Sequence, residues 1–159
     1  MNIDILCVGK IKEKYLRDAV DEYSKRLSRY CRLNIIEVND EKTPDEGIDS
    51  LEEKVRETEG ERLARYLKDN AFIVTLEIEG SQLSSTELAK KIGDIAVSGR
   101  SHIQFIIGGS LGLSKDIIKR ADMHLSFSQM TFPHQLMRVI LLEQIYRSFK
   151  INANEPYHK

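Results

Sequence analysis

The stretch IQFIIGGSLGLSKDIIKRADMHLSFSQMTFPHQLMRVILLEQIYRSF, from Ile103 to Phe149, decides the fold. Its apolar start, residues 103–107, is typical of a buried strand that ends abruptly in two glycines. A second short strand is predicted at 124–128, and Pro133 then opens a long helix, where its fixed φ and missing N–H cost nothing. Two strands that each lead into a loop and a helix predict a pocket, because ligands of open α/β sheets bind at such loops.

The helix after Pro133 carries a wide apolar arc with an arginine inside it. At 100° per residue, Arg138 falls in the middle of an arc formed by Val139, Leu141, Leu142, Ile145, Tyr146 and Phe149. An arginine in this position must extend its head group to water over a packed stem, pair with an acid, or meet a ligand. The width of the arc also predicts a second packing partner, for which a subunit interface is one source.

The rest of the chain alternates predicted strands and helices. Strands are expected at 3–8, 33–38 and 71–78, and helices at 16–30, 51–67 and after the Ser84–Glu87 capping box. The segment from 40 to 50 is the best loop candidate, and Ser114 is a candidate helix N-cap. This order predicts an α/β fold, with a parallel sheet and helices on both faces, in a single domain over residues 1–159.

The charge of the chain is balanced overall but unevenly distributed. The net charge is −1, with 41% hydrophobic and 31% charged residues, which implies no global attraction to nucleic acid or membrane. Residues 37–61 hold eleven acids and three bases, net −8, which leaves +7 for the remainder. The acidic block is typical of a solvated helix face, and the remaining surface can carry a basic footprint for RNA.

The cysteines and the N-terminus predict a cytoplasmic protein. Cys7 and Cys31 lie in apolar, strand-like contexts, which favours buried free thiols in a reducing compartment. No apolar run has the length of a membrane span and no signal-peptide pattern is present, so no membrane partner is expected.

The chain lacks the sequence motifs of several common enzymes and binding sites. It contains no G-x-G-x-x-G, no phosphate-binding P-loop and no G-x-S-x-G, and its four histidines lack the paired spacing of a zinc site, so no metal is expected. Gly108-Gly109 alone also fits a tight turn without a ligand. His134 fits a partly exposed residue in a first helical turn.

The C-terminal residues Tyr157, His158 and Lys159 allow two interpretations. One is an untethered chain end, which is common for terminal residues. The other is a flap that binds a nucleotide, with stacking by Tyr157, hydrogen bonds from His158 and a phosphate contact from Lys159.

Three segments together resemble one family. FIIGGSLGLS at 105–114, LSFSQMTFPHQLMRVILLEQIYRSFKI at 125–151 and NEPYHK at 154–159 resemble the bacterial ribosomal large subunit methyltransferase H family, within the SPOUT superfamily of knotted methyltransferases. The resemblance covers the whole chain in length and element order. It implies methyl transfer from S-adenosylmethionine to N3 of a pseudouridine in 23S rRNA, within assembled ribosomes. It also implies a homodimer and a trefoil knot in the C-terminal part of the chain, a SPOUT-type α/β knot.

The resemblance also implies where the site lies. Cofactor-binding positions would be Leu76, Gly108, Phe127, Ser128, Gln129, Met130, Thr131 and Phe132. The terminal Tyr-His-basic motif of the family falls on Tyr157, His158 and Lys159, where some members end in arginine. The segment after Leu76 is looser than the family pattern, which leaves the roles of Glu77 and Glu79 open.

The predicted enzyme must handle the proton that the target base loses. Arg138 and His158 are expected to stabilise the anion that forms when the base loses its N3 proton, and His158 could instead take that proton through water. The alternatives are a ribosome-binding factor that keeps the fold without catalysis, and a small-molecule-binding dimer.

Overall fold

The structure, a computed structural model, describes residues 1–45 and 47–159. Its strands are β1 (Asn2–Val8), β2 (Arg32–Val38), β3 (Phe72–Gln82), β4 (His102–Ile107) and β5 (Met123–Ser126). They form one parallel sheet in the order β2-β1-β4-β3-β5. The helices are α1 (Lys14–Leu27), α2 (Asp49–Ala64), α3 (Ser85–Val97), α4 (Lys115–Lys119) and α5 (His134–Asn152). The loop predicted at 40–50 falls between β2 and α2, and its residue 46 lies outside the described residues.

The helices cover both faces of the sheet, which confirms the predicted α/β class. Helices α1, α3 and α5 pack together on one face, and α2 and α4 pack on the other. Strand β1 shows why both faces are apolar: Ile3, Ile5 and Cys7 join the core under the first group of helices, and Leu6 and Val8 join the core under the second. A parallel strand covered on both sides requires such a continuous apolar run.

Both cysteines are free thiols, as predicted. Cys7 is buried in the sheet, and burial raises the pKa of its thiol to about 11. Burial also raises the pKa of the half-buried Cys31 to about 11. Both therefore stay protonated at neutral pH and behave as small apolar side chains. In the part of the chain that the structure describes, no helix is long and apolar enough to cross a bilayer.

Local signals in the sequence fix two helix starts. Ser84 accepts a hydrogen bond from the backbone N–H of Glu87, and the Glu87 carboxylate accepts one in return from the N–H of Ser84. Ser114 Oγ accepts from the N–H of Ile117 at 3.3 Å. Both side chains satisfy donors that a helix start leaves without partners. The predicted capping box and N-cap are confirmed.

Strand β3 differs from its prediction in length. It continues to Gln82, beyond the expected end at 78, because its pairing with β5 resumes after an irregularity. Leu76 and Ser81 both lie opposite Leu125, so the four residues between them bulge out of the ladder. A Cβ at Gly80 would lie 2.8 Å from the carbonyl carbon of Leu125, so the bulge requires glycine there. Strand β5 ends at Ser126, earlier than expected.

A polar network crosses the otherwise apolar sheet at Asp4. The carboxylate is fully buried and accepts hydrogen bonds from Asn34 (3.0 Å), His102 (2.7 Å) and Gln104 (2.9 Å). These partners lie on β2 and β4, so the network joins the three strands side by side. Burial alone would raise the pKa of Asp4, but the hydrogen bonds from Asn34, Gln104 and His102 together hold the pKa below its ordinary value.

Replacing Asp4 should therefore destabilise the sheet. We expect Asp4→Asn to lower the free energy of unfolding by about 2–4 kcal/mol at neutral pH, because an amide presents donors to groups that are already donors. The pKa of the Asp4 carboxyl is lower in the folded state than its ordinary value of 3.8. Its contribution to stability is therefore complete above pH 3.8 and is lost as the pH falls through the lower pKa of the folded state.

Chemical denaturation at neutral and acid pH measures both effects. Asp18→Asn is the matched control, because that carboxylate is 58% exposed in a surface pair with Lys14. Equal stability of Asp4→Asn and the wild type at neutral pH would refute the role of the network.

Candidate functional site

A large cavity opens at the carboxyl ends of β3, β4 and β5. Its volume is about 1240 Å³, enough for an extended ligand and part of a second molecule. The walls come from these strand ends, the glycine loop 108–112, the loop 126–133, helix α4, and the N-terminal turns of α2 and α5. The two loops that the sequence predicted to face a ligand therefore lie on one cavity.

The glycine loop holds its shape through backbone contacts. The N–H of Gly112 donates to the carbonyl of Gly109 at 3.1 Å, and Gly112 has a φ of +83°. A Cβ at Gly108 would lie 2.6 Å from the carbonyl carbon of Gly112, far inside contact distance. Arg56 of α2, which also lines the cavity, supports the loop, because its guanidinium reaches the carbonyl of Leu111 at 3.5 Å and pairs with Glu53 at 2.9 Å. The loop can therefore present peptide groups to a ligand at close range.

The loop between β5 and α5 is held by its own serines. Ser126 Oγ donates to the carbonyl of Ser128 at 3.0 Å, and Ser128 Oγ accepts from the N–H of Met130 at 3.0 Å. Met130 and Phe132 stay exposed over 73% and 36% of their surfaces. Their apolar side chains at the cavity mouth are available to a partner molecule.

The structure places seven of the eight predicted cofactor residues on the cavity wall. These are Leu76, Gly108, Phe127, Ser128, Met130, Thr131 and Phe132. Gln129 belongs to the same loop but does not line the cavity. Their role in binding a cofactor stays a prediction.

Glu77, whose role the resemblance leaves open, lines the cavity. Its Oε2 accepts a hydrogen bond from Thr75 at 2.6 Å and lies 2.5 Å from Nδ1 of His124. The carboxylate is 18% exposed and faces the cavity. A carboxylate held in this way can accept hydrogen bonds from hydroxyl groups or stabilise a positive charge. The T-x-E spacing was the available signal, since residues two apart share one strand face, but the bulge that follows hides it.

His134 also lines the cavity, at the first turn of α5. Burial lowers the pKa of its imidazole, the positive charge of Arg138 lowers it further, and Asp40 opposes the shift. The ring is therefore neutral at neutral pH and offers one nitrogen as an acceptor. The expectation of a half-buried residue in a first turn is confirmed, and the position on the cavity was missed.

Arg138 is buried and paired. It is 1% exposed, and its guanidinium donates to Glu37 at 2.7 Å and to the carbonyls of Val8 and Gly9 at 2.9 and 2.7 Å. Of the three expectations for this residue, pairing with an acid is what the structure shows. Within the protomer Arg138 lies one turn beyond His134 but does not line the cavity.

The C-terminal tail is folded against α5. Tyr157 donates to Glu143 at 3.1 Å, and the guanidinium of Arg147 lies 4.6 Å from the Tyr157 ring and 3.2 Å from Nδ1 of His158. The untethered-end interpretation is therefore wrong. Arg147 follows His134 by thirteen residues, about 20 Å along a helix axis. The structure thus does not bring Tyr157 and His158, or the exposed Lys159 beside them, to the cavity of their own protomer.

Comparison with known proteins places this architecture in a family. A family model described as "Predicted SPOUT methyltransferase" matches residues 1–158. Proteins called ribosomal RNA large subunit methyltransferase H are 65% identical in Bifidobacterium adolescentis and 60% identical in Clostridium novyi. A "putative" protein of that name from Methanococcus maripaludis is 64% identical. Each match covers all of this chain and all of the relative.

Two solved structures share the fold at low identity. A probable methylase family protein from Haemophilus influenzae is 12% identical with a TM-score of 0.56, over 99% of this chain and 70% of the other. A putative methylase family protein from Neisseria gonorrhoeae is 12% identical with a TM-score of 0.53, over 99% and 86%. The full-length family match and the full-length relatives at 60–65% identity agree with the resemblance read from the sequence. This chain belongs to the SPOUT methyltransferases and, within them, to the ribosomal RNA large subunit methyltransferase H family.

Proposed function

We propose that this methyltransferase acts on rRNA and transfers a methyl group from S-adenosylmethionine to N3 of a pseudouridine in 23S rRNA of the assembled ribosome. The observation that carries the proposal is the cavity at the ends of β3, β4 and β5, walled by two loops with accessible peptide groups. Such a wall suits an adenosine-containing cofactor, because main-chain groups can approach the edge of an adenine closely.

The residues that would hold the cofactor are Leu76, Gly108 and the loop 127–132. Bound S-adenosylmethionine supplies an electrophilic methyl group on a sulfonium. The Glu77 carboxylate fits a ribose hydroxyl or the positive charge of the cofactor. The chain contributes by holding the methyl group and the target nitrogen close together, since in-line transfer depends chiefly on positioning.

The target nitrogen carries a proton that must leave. We assign stabilisation of the resulting anion to Arg138 and to the Tyr157-His158-Lys159 motif, with His158 as the alternative acceptor of the proton through water. The neutral ring of His134 on the cavity wall is a second candidate acceptor.

We infer that the protein acts as a homodimer, and the position of the tail supports this. The tail contacts Glu143 and Arg147, about 20 Å along α5 from the cavity of its own protomer. A second protomer can supply a tail to that cavity, and the exposed apolar side chains of Ile78, Met130 and Phe132 at its mouth fit such a contact.

Transfer of a labelled methyl group to ribosomes tests the function. We expect the wild type to methylate N3 of a pseudouridine in assembled ribosomes faster than in free 23S rRNA, because the shape of the assembled particle supplies specificity. Gly108→Ala should weaken cofactor binding about 10- to 100-fold, since its Cβ would displace the loop.

Gly93→Ala is the matched control for Gly108→Ala. A Cβ at Gly93, in α3, would meet Asn152 at an ordinary 3.5 Å, so cofactor affinity and activity should stay unchanged. Ribosome binding without methyl transfer would identify a non-catalytic ribosome-binding factor. Equal methylation of free rRNA would refute the assembled substrate.

Deleting residues 157–159 should abolish turnover and preserve cofactor binding. We expect a loss of methyl transfer of about 100-fold or more, because the groups that handle the base are removed and the cavity is not. Mixing this variant with Gly108→Ala should restore part of the activity, since mixed dimers join an intact cavity to an intact tail. If the deletion variant keeps full activity, the tail does not take the proton and His134 is the acceptor. If mixing restores no activity, the cavity and the tail act within one protomer.

Replacing Arg138 should slow the chemical step. We expect Arg138→Ala to lower kcat about 100-fold with cofactor affinity retained, as for loss of a group that stabilises a developing anion. The variant also leaves Glu37 and two carbonyls without their donor, so thermal unfolding must be measured beside kcat. Arg138→Gln removes the charge but keeps an amide donor for Glu37 or the two carbonyls, and it decides the matter if the alanine variant does not fold. Normal turnover in either folded variant would show that Arg138 serves the fold alone.

A further inference from the structure

The segment between β1 and the first turn of α1 forms an exposed basic ridge, residues 10–17. It carries Lys10, Lys12, Lys14 and Arg17 against one acid, Glu13, and its Tyr15 is 70% exposed. Lys14 pairs with Asp18 at 2.7 Å on the surface. In the described part of the chain, neither Lys10 nor Lys12 takes part in a salt bridge. The ridge therefore concentrates positive charge in a chain whose net charge is −1.

The ridge is ordered by its own backbone contacts. The Arg17 guanidinium donates to the carbonyls of Lys12 at 2.7 Å and Ile11 at 3.3 Å. These hydrogen bonds fix the loop before any partner arrives, which lowers the entropy cost of binding. The buried side chains of Leu16 and Val20 attach the following helix to the core.

Two contacts fix the ridge beside the cavity. The N–H of Lys12 donates to Gln135 Oε1 at 3.3 Å, and Gln135 follows His134, which lines the cavity. Arg138 donates to the carbonyls of Val8 and Gly9, immediately before the ridge. The ridge is thus held against the first turn of α5, on one flank of the cavity mouth.

The opposite flank is acidic. Glu52 and Glu53 of α2 line the cavity on that side, and α2 as a whole holds six acids against three bases. A polyanion that approaches the mouth is repelled by this flank and attracted by the ridge. The charge distribution therefore defines one side from which nucleic acid can reach the cavity.

We infer that the basic ridge binds the phosphate backbone of rRNA next to the target nucleotide, with Lys10 and Lys12 on phosphates and Tyr15 stacked on an unpaired base. This rests on the proposed function. A membrane is not the partner that fits, because the apolar face of α1 is in the core and Tyr15 is the one large apolar side chain that the ridge exposes. Spaced cations with an exposed aromatic ring suit single-stranded RNA.

The test is binding of the full-length protein to assembled ribosomes at several salt concentrations. We expect Lys10→Glu combined with Lys12→Glu to weaken binding about 10- to 100-fold and to reduce the slope of log K against log[salt] by about 1.5 to 2. Tyr15→Ala should weaken binding about 5- to 100-fold with the salt slope unchanged. S-adenosylmethionine affinity, measured by calorimetry, should stay at the wild-type value in all variants.

Lys90→Glu combined with Lys91→Glu is the matched control. It makes the same change in charge on exposed residues of α3, a helix that contributes no residue to the cavity wall. The control variant should bind ribosomes at least ten times more tightly than the ridge variant. An equal loss of ribosome affinity in both variants would show that the effect comes from net charge alone, and it would refute the proposed role of the ridge.

The wild type separates failure of the ridge from failure of the proposed function. If it methylates ribosomes and the ridge variant binds them equally well, the ridge is wrong and the function stands. If the wild type neither binds nor methylates ribosomes, the ridge and the function both fall.

Discussion

The cavity depends on backbone segments that lie closer together than a side chain allows. A Cβ would fall 2.6 Å from the backbone of Gly112 if placed at Gly108, and 2.8 Å from the backbone of Leu125 if placed at Gly80. Gly108 lets the loop after β4 turn back until Gly112 packs against it, and Gly80 lets β3 pair with β5 again after the bulge. Both contacts shape the same sheet edge, so the walls of the cavity are set by main-chain packing, and peptide groups remain available to a ligand.

The sequence predicted those parts of the fold that local chemistry determines. Parallel strands covered on both faces need unbroken apolar runs, and the run 103–107 is one of these. The Ser84–Glu87 box and the Ser114 cap depend on neighbouring residues, so both could be read directly. The extension of β3 depends on pairing with β5, about forty residues later in the chain, and the glycine at position 80 indicates the end of a strand rather than its continuation.

The same distinction applies to the site. Its position on the apolar face of a helix predicts that Arg138 needs a partner. The sequence does not identify that partner, because Glu37 is 101 residues away and belongs to an acidic block that is typical of a solvated helix face. The cofactor positions came from the resemblance, since no spacing rule distinguishes a ligand loop from a tight turn at Gly108. Family membership implies a trefoil knot in the C-terminal part of the chain, and physical reasoning alone argues against a threaded chain.

Arg138 links the cavity to the basic ridge. Its guanidinium joins α5 to the end of β1, and the neighbouring residues on each side of that contact are His134 at the cavity and Lys10 on the ridge. A buried, hydrogen-bonded side chain fixes the helix against the strand end more firmly than an exposed residue on a loop. In a chain of 159 residues there is little surface for reading bases, so the proposed function assigns much of the selectivity to the geometry between the basic ridge and the cavity. The buried arginine therefore fixes the cavity and the ridge relative to each other, even though it does not line the cavity.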